Sequence, residues 1–293
     1  MEQGCMMHLQ QVWANTRTKP VITLIGGAGP DAAVDMQKKL LRAMKTKLDI
    51  SCDQDHYRII VDNNTNLPNR DQALLLGGPS PLLTYIDSAK KLEAIGGDIL
   101  IISCNAAHAY FDDIQQETTM KMINMIEETT SFMHHAYNKI KKVGLLSTTA
   151  TLQTGLYHKA FARYNIEVVS PDKKYQNNIA QAVYGIKAGF VDSTQSLNSS
   201  SRSKLYNIYK SVSEIKSPKE VQLPRDLLHG AVEDFLQRGI EAVVLGCTEI
   251  PLVLKYVHGC VLIDPTEATA NAAVDYAINI ENTVSKTPKI VSK

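Results

Sequence analysis

Two cysteines in matched settings carry the most chemistry in this sequence. Cys104 lies in Asp98–His108 (DILIISCNAAH) and Cys247 in Glu241–Pro251 (EAVVLGCTEIP). Each follows an apolar, strand-like run and one small residue, and each precedes a polar residue able to cap a helix. Ligands of open α/β sheets bind at the carboxyl ends of strands. Backbone N–H groups and the helix dipole there favour negative charge. A thiol at such a turn is expected to ionise more easily than one in an apolar core. If the two segments face one cleft, one thiolate can take a proton from a carbon while the opposite thiol returns one to the other face, a two-base inversion of a stereocentre. Singly, each is as readily an ordinary buried cysteine; the matched contexts favour function. Cys5, Cys52 and Cys260 have no such context and read as structural or incidental.

The elements that must position this pair alternate. Short apolar runs at Val21–Ile25, His56–Asp62, Asp98–Ser103, Lys142–Ser147, Glu167–Ser170, Glu241–Gly246 and Val261–Asp264 read as strands. Helical spacing covers Pro30 to about Lys47, Pro81–Ile95, part of Lys121–Tyr137, Gly155–Tyr164, about Lys173–Ala188, and Pro265 to about Asn282. The chain also turns helical after Asn105. Asn63–Asp71 reads as a polar loop. Strands alternating with helices imply parallel sheets covered on both faces. Ser193–Lys204 (STQSLNSSSRSK) lacks an apolar face and reads as an exposed loop or mobile insertion.

Composition narrows the partners. Among 293 residues, 44% are hydrophobic and 21% charged, as in a globular chain. A net charge of +1 and 6% aromatics give no case for nucleic acid or an anionic membrane surface. No apolar run approaches the roughly 20 residues of a membrane helix. Five cysteines without C-x-x-C pairs argue against a disulfide framework and a zinc cage, so reduced thiols in a cytoplasm are the simple reading.

At this point the residues resemble a family, the aspartate/glutamate racemase superfamily that works without pyridoxal phosphate, and within it the aspartate racemase branch. The resemblance rests on Ile25–Pro30 (IGGAGP), Asn63-Asn64 with Leu67–Arg70 (LPNR), Ser103–His108 (SCNAAH) and Met125–Thr129 (MIEET). It continues through Gly144–Thr149 (GLLSTT), Gly185–Gly189 (GIKAG), Leu245–Pro251 (LGCTEIP) and Ile263–Pro265 (IDP). It implies an α/β protein of two similar domains, each a parallel sheet flanked by helices, with the active site in the cleft between them. Residues 1–20 would be a flexible leader. Residues 21–135 with 262–285 would form the first domain, 136–261 the second with a Ser-rich insertion near 193–220, and 286–293 a tail. Cys104 and Cys247 would be the catalytic pair and Arg70 and Lys187 the holders of two substrate carboxylates. Gly27, Asn105, Ala106, Thr148, Thr149, Thr248 and Glu249 would complete the substrate site. The implied activity is a cofactor-independent isomerase acting on a small acidic amino acid, in a homodimer. Glu249 stands where glutamate racemases usually carry His, which points to aspartate.

Two positions depart from the family pattern: Ala28 replaces Met, and Asn69 replaces Asp beside Arg70. Three rivals stand against this reading. Gly27–Ala32 (GAGPDA) formally fits a dinucleotide fingerprint, though Pro30 removes a donor from the phosphate turn. Cys104 and His108, four apart, are half of a zinc site that Cys247 would have to complete. The fold could also serve a non-catalytic amino-acid-binding or interaction protein.

Overall fold

The computed structural model describes residues 19–191 and 197–286. The elements run β1 (Val21–Ile25), α1 (Pro30–Lys47), β2 (Arg58–Asp62), α2 (Arg70–Leu76), α3 (Leu82–Ala94), β3 (Ile99–Ile102), α4 (Phe111–Gln115), β4 (Lys121–Met122) and α5 (Met125–Ala136). They continue as β5 (Lys142–Leu146), α6 (Thr149–Thr154), α7 (Leu156–Ala162), β6 (Glu167–Val169), α8 (Lys173–Lys187), α9 (Ser199–Lys210) and α10 (Pro224–Gln237). The last are β7 (Ala242–Leu245), α11 (Ile250–Val253), β8 (Val261–Ile263) and α12 (Pro265–Lys286).

The strands form two four-stranded parallel sheets with one topology, β2-β1-β3-β4 and β6-β5-β7-β8. Their apolar runs are continuous because both faces are covered, and alternate side chains go to opposite faces. Ile22, Leu24, Ile99 and Ile101 pack with Met36, Leu40 and Val274 of α1 and α12. Ile25, Leu100 and Ile102 pack with Tyr85, Leu92 and Ile114 on the other side. The second sheet repeats the division: Val243 and Leu245 face α8, α9 and α10, whereas Val143, Leu145 and Val244 face α5 and α7.

Two helices join the halves. Met125 of α5 belongs to the first core, while Ile126 and Met133 belong to the second. The chain leaves β8 at Asp264 and α12 packs on α1 and α5. Buried Lys39 of α1 holds that crossing, with its ammonium 2.5 Å from Asp264 Oδ2 and against the Thr266 hydroxyl. Asp35 meets Lys39 as an ion pair at 2.5 Å rather than as an aligned hydrogen bond.

Several expectations change. Ser199–Lys204, read as loop, opens α9: Asn198 Oδ1 accepts from the Ser201 N–H at 2.9 Å, and Leu205 and Tyr209, just past the Ser-rich window, supply the buried face. Residues 193–196 of that window, 1–18 of the leader and 287–293 of the tail lie outside the described residues. The polar loop ends earlier than expected because Asn69 caps α2. Asn124 likewise starts α5, whose beginning the apolar spacing left open. Helices α6 and α10 were not anticipated, and α12 extends beyond Asn282.

Candidate active site

Both cysteines stand two residues past the third strand of their sheets, Cys104 after Ile102 and Cys247 after Leu245. The third strand borders the first in each sheet, and strand order reverses there, so the two crevices are equivalent ligand sites. They open into one cavity of about 260 Å³ that both cysteines line. Its size suits a small metabolite rather than a dinucleotide. Cys104 and Cys247 are each 8% exposed.

The cavity gathers most of the anticipated residues: Gly27, Arg70, Asn105, Ala106, Thr148, Lys187, Thr248 and Glu249. Thr149 is the exception. As the first residue of α6 it turns its hydroxyl toward Gln176, 3.4 Å away, and Thr151 lines the cavity in its place. Tyr184 was missed, although its spacing of three from Lys187 on α8 puts both on one helix face.

The glycine loop serves the cleft. Gly27 has φ +83, and a Cβ there would lie 2.1 Å from the Asn64 carbonyl oxygen. A Cβ on Gly29 would lie 2.2 Å from Glu249 Oε1. The residue between them, Ala28, offers its carbonyl to both cations: the Arg70 guanidinium donates to it at 2.7 Å and the Lys187 ammonium at 3.0 Å. Arg70 also donates to the Pro68 carbonyl at 3.0 Å, but its Nε is buried without a partner. Asn69 uses its side-chain oxygen on the α2 N–H groups of Asp71 and Gln72 at 2.9 and 3.1 Å. A helix cap needs only that oxygen, which Asn and Asp both supply.

Around Cys247 the groups form a chain. The thiol donates to Glu249 Oε2 at 3.0 Å, and Glu249 Oε1 pairs with Lys187. Burial, and then the Glu249 carboxylate, push the Cys247 thiol well above its ordinary pKa, with Lys187 offsetting only part. The expected easy ionisation therefore fails here. The helix that follows, α11, has four residues, and an adjacent carboxylate outweighs so short a dipole. Burial alone would raise Glu249, yet Lys187 and the Cys247 donor hold it below its usual range. Burial pulls Lys187 down, but Glu249 more than offsets this and its pKa rises. The Lys187 side chain is 31% exposed, and its ammonium meets Glu249 and the Ala28 carbonyl.

Around Cys104 the neighbours differ. Burial opposes the charge on Arg70, but Cys104 and Tyr85 beside it favour the cation, and its pKa is raised. Asn105 does not cap the turn that follows; its Oδ1 accepts from Tyr157 of the second half at 2.6 Å, leaving its buried Nδ2 without a partner. Thr248 donates to the Ser103 carbonyl at 3.2 Å, a second bond across the cleft floor. His108 is committed to backbone: Nε2 accepts from the Met125 N–H at 3.0 Å and Nδ1 donates to the Cys104 carbonyl at 3.0 Å. Burial lowers its pKa, which keeps that neutral tautomer. Neither ring nitrogen is open to a metal, and no cluster of three or more metal-ligating side chains occurs among the described residues.

Known proteins carry similar chains. An aspartate racemase of Picrophilus torridus shares 28% identity and a TM-score of 0.67, over 88% of this chain and 94% of that one. The broad-specificity amino-acid racemase RacX of Bacillus subtilis is 26% identical over 190 residues, 64% of this chain and 69% of its own. A glutamate racemase of Aquifex aeolicus is 23% identical over 198 residues, 66% of this chain and 64% of its own. A family model described as Asp/Glu/Hydantoin racemase matches residues 25–205, from the glycine loop through Cys104 and Lys187 into α9. With two like sheets facing one small cavity and that match over more than half its length, the chain belongs to the Asp/Glu/hydantoin racemase family.

Proposed function

We propose that this racemase inverts Cα of aspartate without a cofactor, with Cys104 and Cys247 serving opposite faces of the carbon. The carrying observation is that two cysteines from equivalent positions of two like sheets line one cavity. A two-base inversion needs one sulfur ionised and the other protonated. The Glu249 acceptor favours the proton on Cys247, so Cys104 is the base of the singly ionised form. The Cα–H bond breaks, its proton goes to the Cys104 sulfur, and the electron pair delocalises into the α-carboxylate. Cys247 then gives its proton to the opposite face and is left as the thiolate. The reverse reaction starts from that second form.

The carbanion is the difficult species, and preorganised donors in a water-poor site favour it. The unpartnered Arg70 Nε–H and Asn105 Nδ2–H groups are suited to a substrate carboxylate. Lys187 supplies a second cation, partly neutralised by Glu249, for the side-chain carboxylate. The similarity to an aspartate racemase supports aspartate. The similarity to RacX supports a second reading, a broader range that includes glutamate. The proposed division into residues 21–135 with 262–285 against 136–261 allows the cleft to close over substrate. The same reading carries a homodimer and a reducing, cytoplasmic setting for the thiols.

Purified protein incubated under reducing conditions with single enantiomers of aspartate and glutamate, followed by chiral chromatography, tests the proposal. Formation of the D form from L-aspartate and the converse is expected. Binding of either amino acid with no inversion would sink the catalytic reading in favour of a binding protein.

A further inference from the structure

Three buried polar atoms without hydrogen-bond partners belong to residues around Cys104: Arg70 Nε, Asn105 Nδ2 and the Tyr85 hydroxyl. The first two belong to cavity-lining residues and can meet substrate, but Tyr85 is outside the lining. It is carried by α3, fully buried in the same cluster as Leu67, Cys104 and Ala106. A phenylalanine would fill that space without stranding a hydroxyl, and stranding one is costly. The hydroxyl therefore needs a partner, and the Cys104 sulfur of the same cluster is the group beside it, although no aligned bond joins the two here.

We propose that Tyr85 is a positioning residue whose hydroxyl is the reserve donor for the Cys104 thiolate, not aligned on the sulfur while Cys104 is a thiol and bonded to it once the sulfur is negative. The proposal rests on the proton-transfer role of Cys104 given above. Burial, and then Cys104, raise the Tyr85 pKa well above its ordinary value with Arg70 opposing, so the phenol stays protonated and can only donate. The two cysteines thus differ in the sign of their neighbours. Cys247 has an acceptor, Glu249, which holds the proton on sulfur. Cys104 has donors instead, Arg70 and Tyr85. The other titratable groups that bear on this corner are Lys187 from α8, Glu249 through Arg70, Tyr110 behind Tyr85, and neutral His108 on the Cys104 carbonyl.

The test is Tyr85→Phe, which removes the hydroxyl and keeps the ring. Alkylation of Cys104 by iodoacetamide is followed across pH by mass spectrometry of its peptide. The half-point is expected to rise by roughly one pH unit, with alkylation about tenfold slower below both half-points. The profile of Cys247 should not move. Racemisation has an equilibrium constant of one, so kcat/KM must fall equally in both directions. A folded Tyr85→Phe protein with an unchanged Cys104 profile overturns the proposal, whatever its melting temperature. If wild type does not racemise but the profile shifts, the functional reading fails and Tyr85 keeps its role. If Tyr85→Phe were unfolded, Cys104 alkylation in the wild type with a half-point at or above that of an ordinary thiol would overturn it.

Discussion

The Cys104 and Cys247 loops have the same place in the same topology and opposite surroundings. Each cysteine follows the third strand of a 2-1-3-4 parallel sheet and borders the strand-order reversal. The shared topology explains why two thiols meet in one cavity. It does not explain a proton inventory, because a symmetric site would hold both sulfurs in the same state. Residues that the repeat does not share break the symmetry: Glu249 two positions past one cysteine, where Ala106 follows the other, and Arg70 and Tyr85 from other elements beside Cys104. The fold supplies the geometry and those neighbours assign acid and base.

Removing either sulfur tests the shared part and should have the largest effect. Cys104→Ala and Cys247→Ala should each lower racemisation by roughly 10³-fold or more, the scale of losing a general base or acid. In deuterated water the variant that keeps Cys104 should still exchange the Cα proton of one enantiomer without inverting it. Nuclear magnetic resonance of the Cα–H signal measures this. Racemisation at the wild-type rate by either variant would end the two-cysteine mechanism.

Arg70→Lys acts on the Cys104 side alone. It keeps the charge and loses the planar fork, including the unpartnered Nε donor. A drop of roughly 10- to 100-fold in kcat/KM is expected, the scale of about 1.5–3 kcal/mol for a charge-assisted bond. Steady-state kinetics in both directions would show equal losses, and an unchanged kcat/KM would remove Arg70 from the anion site.

Glu249→Gln acts on the Cys247 side. Glu249 raises the Cys247 pKa by its charge and by accepting the thiol proton, so its removal should lower that pKa. The acid of the pair is then lost at lower pH, and the alkaline limb of the kcat/KM profile should move downward. The acidic limb, which belongs to the base, should stay. Movement of the acidic limb instead would mean that the assignments of the two thiols are reversed.

How much of this was legible beforehand follows the same division. The strands were readable because β1, β3, β5 and β7 are continuous apolar runs, and the cysteines because their flanking patterns repeat. Among the helices missed, α2 and α6 start on a single cap, Asn69 and Thr148, and the start of α9 was hidden because its apolar face begins beyond the polar Ser199–Ser201. The site residues came from motif resemblance, and their partners did not. That Lys187 would pair with Glu249, or that Asn105 would accept from Tyr157, depends on contacts between elements that no local pattern encodes. Thr149 shows the limit at one residue: a helix start turns neighbouring hydroxyls about 100° apart, so one threonine faces the cavity and the next does not.

The smallest expected effect concerns how the two cations are held. Lys187 is the last residue of α8, where a helix dipole favours a positive charge, whereas Arg70 is the first of α2, where it does not. Asn69 offsets this by capping α2 with its side-chain oxygen. Asn69→Ala should cost about 1 kcal/mol of stability and raise KM a few-fold as Arg70 loosens. Asn69→Asp keeps the oxygen and adds a negative charge at the helix N-terminus beside Arg70, so its stability should match or slightly exceed wild type. Urea unfolding read together with KM for the two variants separates the cap from a direct substrate contact. If Asn69→Asp changed KM as much as Asn69→Ala did while stability held, Asn69 would be touching substrate, and the contrast between the two cation mounts would have a different cause.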